Sequence, residues 1–444
     1  MKAILFLYCS LALSMAAPQN ISISDAQAGV EKNPKDAQAL LTLGALYDRA
    51  GQFEQAAPIL ERAVKAAPSL AAARMELAVC LARLHRYKEA AVTLDPVAPP
   101  MDSPQLLLYR RLKASIASGN KDDAAAADEM AKALELARGD RGLAFATAVA
   151  QFRAGRLDQA LASAEKSKGI QDSADIENLI GDIQERRGDS LAAVHGYQTA
   201  VALAPDNEEY RLSLALELLR HHTFEPAILV LEQGSKQFPA SLRMRVALGL
   251  GYFLVNRDSD ATATLLGAMR LESGRAFVLD YLGDLLIDQG DTPDTGVVKE
   301  VCADADAHPD SAMAQAVCGG LLLRAQADQA DATHYDEPLA RLRKAVQLAG
   351  DNATARCQLG KAFELNQQWK DARQQMEECV RLRPDSTEWH YRLSRIYVRL
   401  GLGDLAKEQD RLRAEADQKL AAQSQQRYAT LARFLYALGS KSEP

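Results

Sequence analysis

The sequence predicts an all-α solenoid of about eleven stacked helix–turn–helix units, and three rulers of constant phase carry that prediction. A small residue recurs at Ala56, Ala90, Ala124, Ala160, Ala193, Ala227 and Ala261, in steps of 34 residues with one of 36 and one of 33. Thr295 continues the series, Pro338 follows after a longer step of 43, and Ala372 and Ala406 resume it at 34. A second ruler runs through Gly44, Ala78, Gly181, Ala215, Gly249, Gly283 and Gly360, and a third through Pro34, Pro68, Pro205, Pro239 and Pro384. The chain has 444 residues, more than one compact core accommodates, whereas a solenoid grows by packing each unit only on its neighbours.

The first element is MKAILFLYCSLALSMAA, a Lys followed by an apolar run that ends in small residues. This is the form of a secretory signal peptide over residues 1–17, with cleavage after Ala16 or Ala17. The run is short of the roughly 20 apolar residues that a spanning helix needs, and no later stretch reaches that length. The expected mature chain is exported, to a periplasm or the outside, without a transmembrane span. Residues 18–36 form an N-terminal cap helix, in which Ser24 to Asn33 and Pro34 match the second half of an incomplete unit.

The array follows as 37–240 and 241–415. In its clearest unit, Leu40, Leu43, Gly44 and Tyr47 give the first helix an apolar face, and Gly51 breaks it. Ala56, Leu60 and Ala63 face inward from the second helix, and Pro68 ends it. Gly44 and Ala56 sit where the two helices cross, so that the backbones approach closely. Pro96, Pro99, Pro100 and Pro104 predict an early end to one second helix. The long step before Pro338 places about nine extra residues near 325–337, as a surface insertion or an interaction loop. Residues 416–444 complete the chain. Within them Tyr428, Leu431, Phe434, Leu435 and Leu438 share one helical face, which either caps the stack or contacts a second copy.

Leu43, Gly44, Tyr47, Ala56, Leu60, Ala63 and Pro68 resemble the tetratricopeptide repeat. So do Ile180, Gly181, Ala193, Tyr197, Ala200 and Pro205, and Leu359, Gly360, Phe363, Ala372 and Pro384. The resemblance covers about 24–415 and has the style of an exported bacterial member. It implies a right-handed superhelix whose first helices line a concave groove for a protein or peptide partner. Phasing by the alanine ruler places Tyr109, Phe145, Phe152, Leu216, Leu250 and Phe253 on that face. It also places Asp175, Asn178, Asp182 and Glu185 there, and Asp280 and Asp284 further on. For the apolar positions two readings stand: packing between neighbouring helices, or a groove with acidic bands for a peptide carrying basic residues. Lys113 and Lys361 are isolated, so the clamp that chaperone-binding members use on a C-terminal carboxylate is not expected.

Chemistry-bearing patterns are sparse. Lys plus Arg number 52 against 59 for Asp plus Glu, a net charge of −7, which argues against a nucleic-acid partner. Gly401-Leu-Gly-Asp-Leu-Ala406 satisfies a dinucleotide fingerprint as a string but follows a helix, not a strand. His221 and His222 are adjacent and point apart, so no metal site is expected, and no cofactor. Cys302 and Cys318 fall on adjoining helices and are placed either to bridge in an oxidising compartment or to remain buried thiols. Cys357 and Cys379 lie on the two helices of one unit, and Cys80 is the expected odd cysteine. The array leaves no stretch for a catalytic domain. The expected function is a non-enzymatic adaptor in a bacterial cell envelope. The alternatives are an accessory subunit of a cell-wall or polysaccharide-processing and secretion complex, or a self-assembling scaffold.

Overall fold

The computed structural model describes residues 21–99, 103–169, 173–271, 278–279, 294–327 and 335–422. Among them there are twenty-two helices and no strand. The chain forms two compact units, Met1–Tyr210 and Arg211–Pro444. Unit 1 opens with α1 (Ile23–Lys32), then α2 (Ala37–Arg49) and α3 (Phe53–Ala66), and α4 (Ala71–Arg83) and α5 (Tyr87–Leu94). It continues with α6 (Ser103–Gly119) and α7 (Asp123–Leu136), α8 (Arg141–Arg153) and α9 (Leu157–Ser167), and α10 (Ala174–Arg187) and α11 (Ser190–Leu203). The next helix, α12 (Glu208–Arg220), contains the boundary between the units. Unit 2 proceeds through α13 (Phe224–Gln237), α14 (Leu242–Leu254), α15 (Asp258–Met269), α16 (Thr295–Ala307), α17 (Ala312–Ala327) and α18 (Asp336–Leu348). It ends with α19 (Ala353–Leu365), α20 (Trp369–Leu382), α21 (Thr387–Arg399) and α22 (Gly403–Ala422). Residues 1–17 and the apolar face of Ser424–Leu438 lie outside the described residues.

Local chemistry sets where these helices begin and turn. Side chains of Asp36, Asp140, Ser241 and Asn352 accept hydrogen bonds from first-turn amides that have no partner within their own helix. The turn inside a unit uses one left-handed residue, which favours glycine: Gly51, Gly155, Gly188 and Gly401 have φ of 75°, 73°, 81° and 74°. His85, Lys121, His222, Asn256 and Gln367 adopt the same conformation in the corresponding turns, at φ between 57° and 64°. There Gly51 N donates to Asp48 O at 3.0 Å and Gln52 N to Tyr47 O at 2.9 Å, which closes the end of α2. The turn at Lys121 corrects the alanine ruler. Ala126, five residues beyond it, is buried, whereas Ala124 is exposed, so the step of 36 precedes this unit and does not follow it.

The second ruler marks the closest helix contact. A β-carbon on Gly44 would lie 2.5 Å from Leu60 Cγ, and one on Gly181 would lie 2.6 Å from the Tyr197 ring. The same substitution at Gly249 meets Leu265 at 2.7 Å, and at Gly360 it meets Met376 at 3.0 Å. Each time the obstructing side chain lies sixteen residues further on, in the second helix of the pair. Adjacent units are joined by a conserved geometry that the rulers do not reveal. Arg74 donates to Pro68 O at 2.8 Å, Arg245 to Pro239 O at 2.7 Å and Arg356 to Gly350 O at 2.8 Å. A nitrogen of the His390 ring faces Pro384 O at 2.9 Å in the same way. Each of these side chains also reaches the second helix of its own pair, as Arg245 does through Gly267 O at 2.8 Å and Arg356 through Gln375 at 2.6 Å.

The cysteines divide by unit. Cys302–Cys318 joins α16 to α17, and Cys357–Cys379 joins α19 to α20. Cys80 is a buried free thiol whose hydrogen points to Phe53 O, and burial pushes its pKa up to about 12. The early end expected from the prolines occurs at Leu94. Around 325–337, α17 runs on to Ala327 and α18 starts at Asp336, with 328–334 outside the described residues.

Gly44→Val is expected to lower stability by about 1–3 kcal/mol through overpacking against Leu60, read as a fall in the urea midpoint of unit 1. Thiol titration without reductant on a chain that starts at residue 18 is expected to find no reactive group when folded and one, Cys80, after unfolding in denaturant.

Candidate partner-binding surface

The apolar residues assigned to the groove sit largely inside the chain. Tyr109 on α6 is 4% exposed, and its hydroxyl donates to Val97 O at 3.1 Å, tying the proline-rich connection to the helix. Phe152 on α8 is buried beneath the Arg186 guanidinium, which lies 4.1 Å from the ring centroid and donates to Phe152 O. Phe145 is half-buried against the cluster that contains Val149 and Ile180. In unit 2, Leu216 and Leu250 are buried and Phe253 is half-buried. Asp280 and Asp284 lie outside the described residues.

The polar residues on α10 are more accessible. Asp175 is exposed, Asp182 and Glu185 are half-buried, and Asn178 is buried with no hydrogen-bond partner for its Oδ1. Their carboxylates are held by tyrosines. Tyr210 donates to Asp175 at 2.6 Å, and the Tyr197 hydroxyl lies 3.0 Å from Asp182 and 2.9 Å from Glu185. A phenol carries one proton, so Tyr197 serves the two carboxylates in alternation. Burial, followed by the charge of these neighbours, pushes the phenol of Tyr197 well above its ordinary range.

A second acidic arrangement lies between the successive first helices α2 and α4. Asp48 is 4% exposed and Glu76 5%. Arg83 donates to Asp48 Oδ2 at 2.8 Å and stacks over the Phe53 ring at 5.2 Å. Asp48 Oδ1 and Glu76 Oε1 have no hydrogen-bond partner. Burial is the main cause that pushes the Glu76 carboxyl up to about 8, with the charge of Asp48 second; Arg83 and Arg49 act in the opposite sense. Burial also raises Asp48, against the pull of Arg83. Near neutral pH the pair therefore carries a proton.

The same register recurs between α19 and α21 with a different outcome. Glu364 precedes its turn residue Gln367 by as many positions as Asp48 precedes Gly51, and Arg392 stands where Glu76 stands. Arg392 donates to Glu364 at 2.9 Å and to Glu388 at 2.9 Å, and Arg399 stacks over Trp369 at 5.8 Å as Arg83 does over Phe53. Sequence reasoning missed both arrangements. The signal that could have found them is an acidic residue three positions before a turn, compared across units.

A family model described as tetratricopeptide repeat matches residues 49–116. A human protein O-mannosyl-transferase, TMTC1, is 32% identical over 184 residues, which are 40% of this chain and 21% of that protein. Cellulose synthase 2 operon protein C of Komagataeibacter xylinus is 30% identical over 255 residues, which are 53% of this chain and 19% of that protein. The chain thus spans about a fifth of the length of the curated relatives it matches. Among solved structures, the C-terminal part of a TPR repeat-containing protein from Cytophaga hutchinsonii is 14% identical, with a TM-score of 0.43. That alignment covers 63% of this chain and 98% of that chain.

Because the Glu76 carboxyl binds its proton more tightly in the folded chain, its contribution to stability is full below about 4.5 and is lost as pH rises to about 8. Glu76→Gln removes that dependence. Its melting temperature is expected to match the parent near pH 4.5, rise above it progressively, and exceed it by a constant margin beyond pH 8, as measured by thermal unfolding across that range.

Proposed function

The chain is a tetratricopeptide-repeat protein, and we propose that it is a non-enzymatic scaffold that holds a protein or peptide partner along the first helices of its repeats. The observation that supports this reading best is the fixed carboxylate row on α10. Tyr197 and Tyr210 hold Asp182, Glu185 and Asp175 in place, so a basic partner segment meets acceptors whose ordering is already complete. Tyr109 and Phe152 in unit 1, and Leu216 and Leu250 in unit 2, are buried and offer a partner little contact area of their own.

Export completes the reading. The leader-like residues 1–17 and the two bonded cysteine pairs in unit 2 both suit an oxidising compartment such as a bacterial periplasm. A narrower role, as an accessory component of a polysaccharide-producing or secreting assembly, is favoured by the match to the cellulose synthase operon protein over 53% of the chain.

Replacing Asp175, Asp182 and Glu185 together with lysine is expected to reduce recovery of cross-linked partners from the native envelope at least ten-fold. Helicity and melting temperature stay close to those of the parent. Undiminished recovery of the same partners by the folded variant would sink the proposal.

A further inference from the structure

We propose that the buried carboxyl pair Asp48–Glu76 in unit 1 is an anchoring site for one lysine or arginine side chain of an extended partner peptide. The inference rests on the scaffold reading and adds to it a place and a chemistry. Two independent observations carry it. Asp48 and Glu76 are 4% and 5% exposed, yet Asp48 Oδ1 and Glu76 Oε1 have no hydrogen-bond partner, although Arg83 occupies the other oxygen of Asp48. A buried carboxyl oxygen without a donor is costly, by about 1–3 kcal/mol or more, and a folded chain does not keep two of them without a compensating gain. The second observation is internal to the chain. At the same register in unit 2 the acid is Glu364, and the position of Glu76 is filled by Arg392, whose guanidinium lies 2.9 Å from the acid. The repeat therefore accommodates a cation at this position of the next first helix; in unit 1 Asp48 draws on Arg83 instead, and Glu76 stands where that cation would be.

In the free protein a proton stands in for that cation. Burial keeps Glu76 protonated near neutral pH, which reduces the charge of the pair to that of Asp48 alone, and Arg83 balances Asp48. An arriving ammonium or guanidinium group replaces the proton, which leaves to solvent, and the two free oxygens become acceptors of charge-assisted hydrogen bonds. The charged groups around the exchange are Arg83 on the same helix as Glu76, and Asp48 and the exposed Arg49 on α2. Arg83 is held by Asp48 and by the Phe53 ring, so it supplies one oxygen and not the pair. Entry requires local movement, because both acids are buried.

The test uses the mature full chain and two labelled twelve-residue peptides of alanine, serine and glutamine. One peptide carries a single central arginine, and the other has alanine in its place. In fluorescence anisotropy at pH 7 the parent is expected to bind the arginine peptide at least ten-fold more tightly. Calorimetry in buffers of different ionisation enthalpy is expected to show release of close to one proton per peptide. Glu76→Gln abolishes both the preference and the proton release. Glu76→Arg places in unit 1 what Arg392 places in unit 2; it is expected to fold, to melt no lower than the parent at pH 7, and to show no arginine preference. An equal affinity of the parent for both peptides overturns the inference, as does an arginine preference that persists in Glu76→Gln. If that preference persists but is lost on replacing Asp182 with lysine, the anchor is wrong and the scaffold reading stands.

Discussion

The spacing of the two helices within a repeat is set by a contact between backbone and side chain. At Gly44, Gly181, Gly249 and Gly360 the first helix offers no β-carbon, and Leu60, Tyr197, Leu265 and Met376 of the second helix fill the space. Nearly everything else follows from this approach. With the helices this close, the left-handed turn residue must close the first helix within three residues, and the fully buried Ala56, Ala193 and Ala372 must be small. A closely packed pair also presents its remaining apolar face as a fixed surface, against which the next pair can dock by the same contacts.

The fold was legible because that contact has a strict residue requirement and repeats. A position that tolerates only glycine or alanine leaves a mark at every turn of the array, and the phase of those marks specifies which face is buried. The reading slipped where residue type no longer discriminates. In Asp122-Asp-Ala-Ala-Ala-Ala-Asp128 four alanines stand in a row, so the ruler fell on Ala124, while the backbone turn at Lys121 selects Ala126. The turn itself was equally ambiguous where histidine, lysine, asparagine or glutamine holds the left-handed conformation, since these residues carry no signature of it in one sequence.

The candidate site was less legible, and for a different reason. Phase predicts which way a side chain points but not what it meets. Tyr109 and Phe152 are placed on the first-helix face by phase, and their neighbours Val97 and Arg186 come from a connection and from another helix whose approach no spacing encodes. The same limit hid the arginine links. Arg74, Arg245 and Arg356 each stand six residues beyond the carbonyl they cap, a regularity that becomes meaningful only when that carbonyl is seen to face the side chain. Polar groups at these places satisfy helix-end carbonyls that would otherwise be buried without donors.

Placing ionisable groups between first helices has a consequence that apolar packing does not. An apolar interface tolerates most conservative exchanges, whereas a buried acid demands a partner, and the repeat supplies that partner in more than one way. Glu364 obtains it from Arg392 of the next first helix, Asp48 obtains half of it from Arg83, and Asp182 with Glu185 obtain it from the Tyr197 hydroxyl. The first helices therefore hold acids that differ in the partner each finds within the chain. Coulomb energies in a poorly polarisable interior are large, so under the scaffold proposed above these differences bias where a basic segment is drawn. In a solenoid the backbone repeats and the residual charge does not, so charge distinguishes stretches that the fold alone leaves alike.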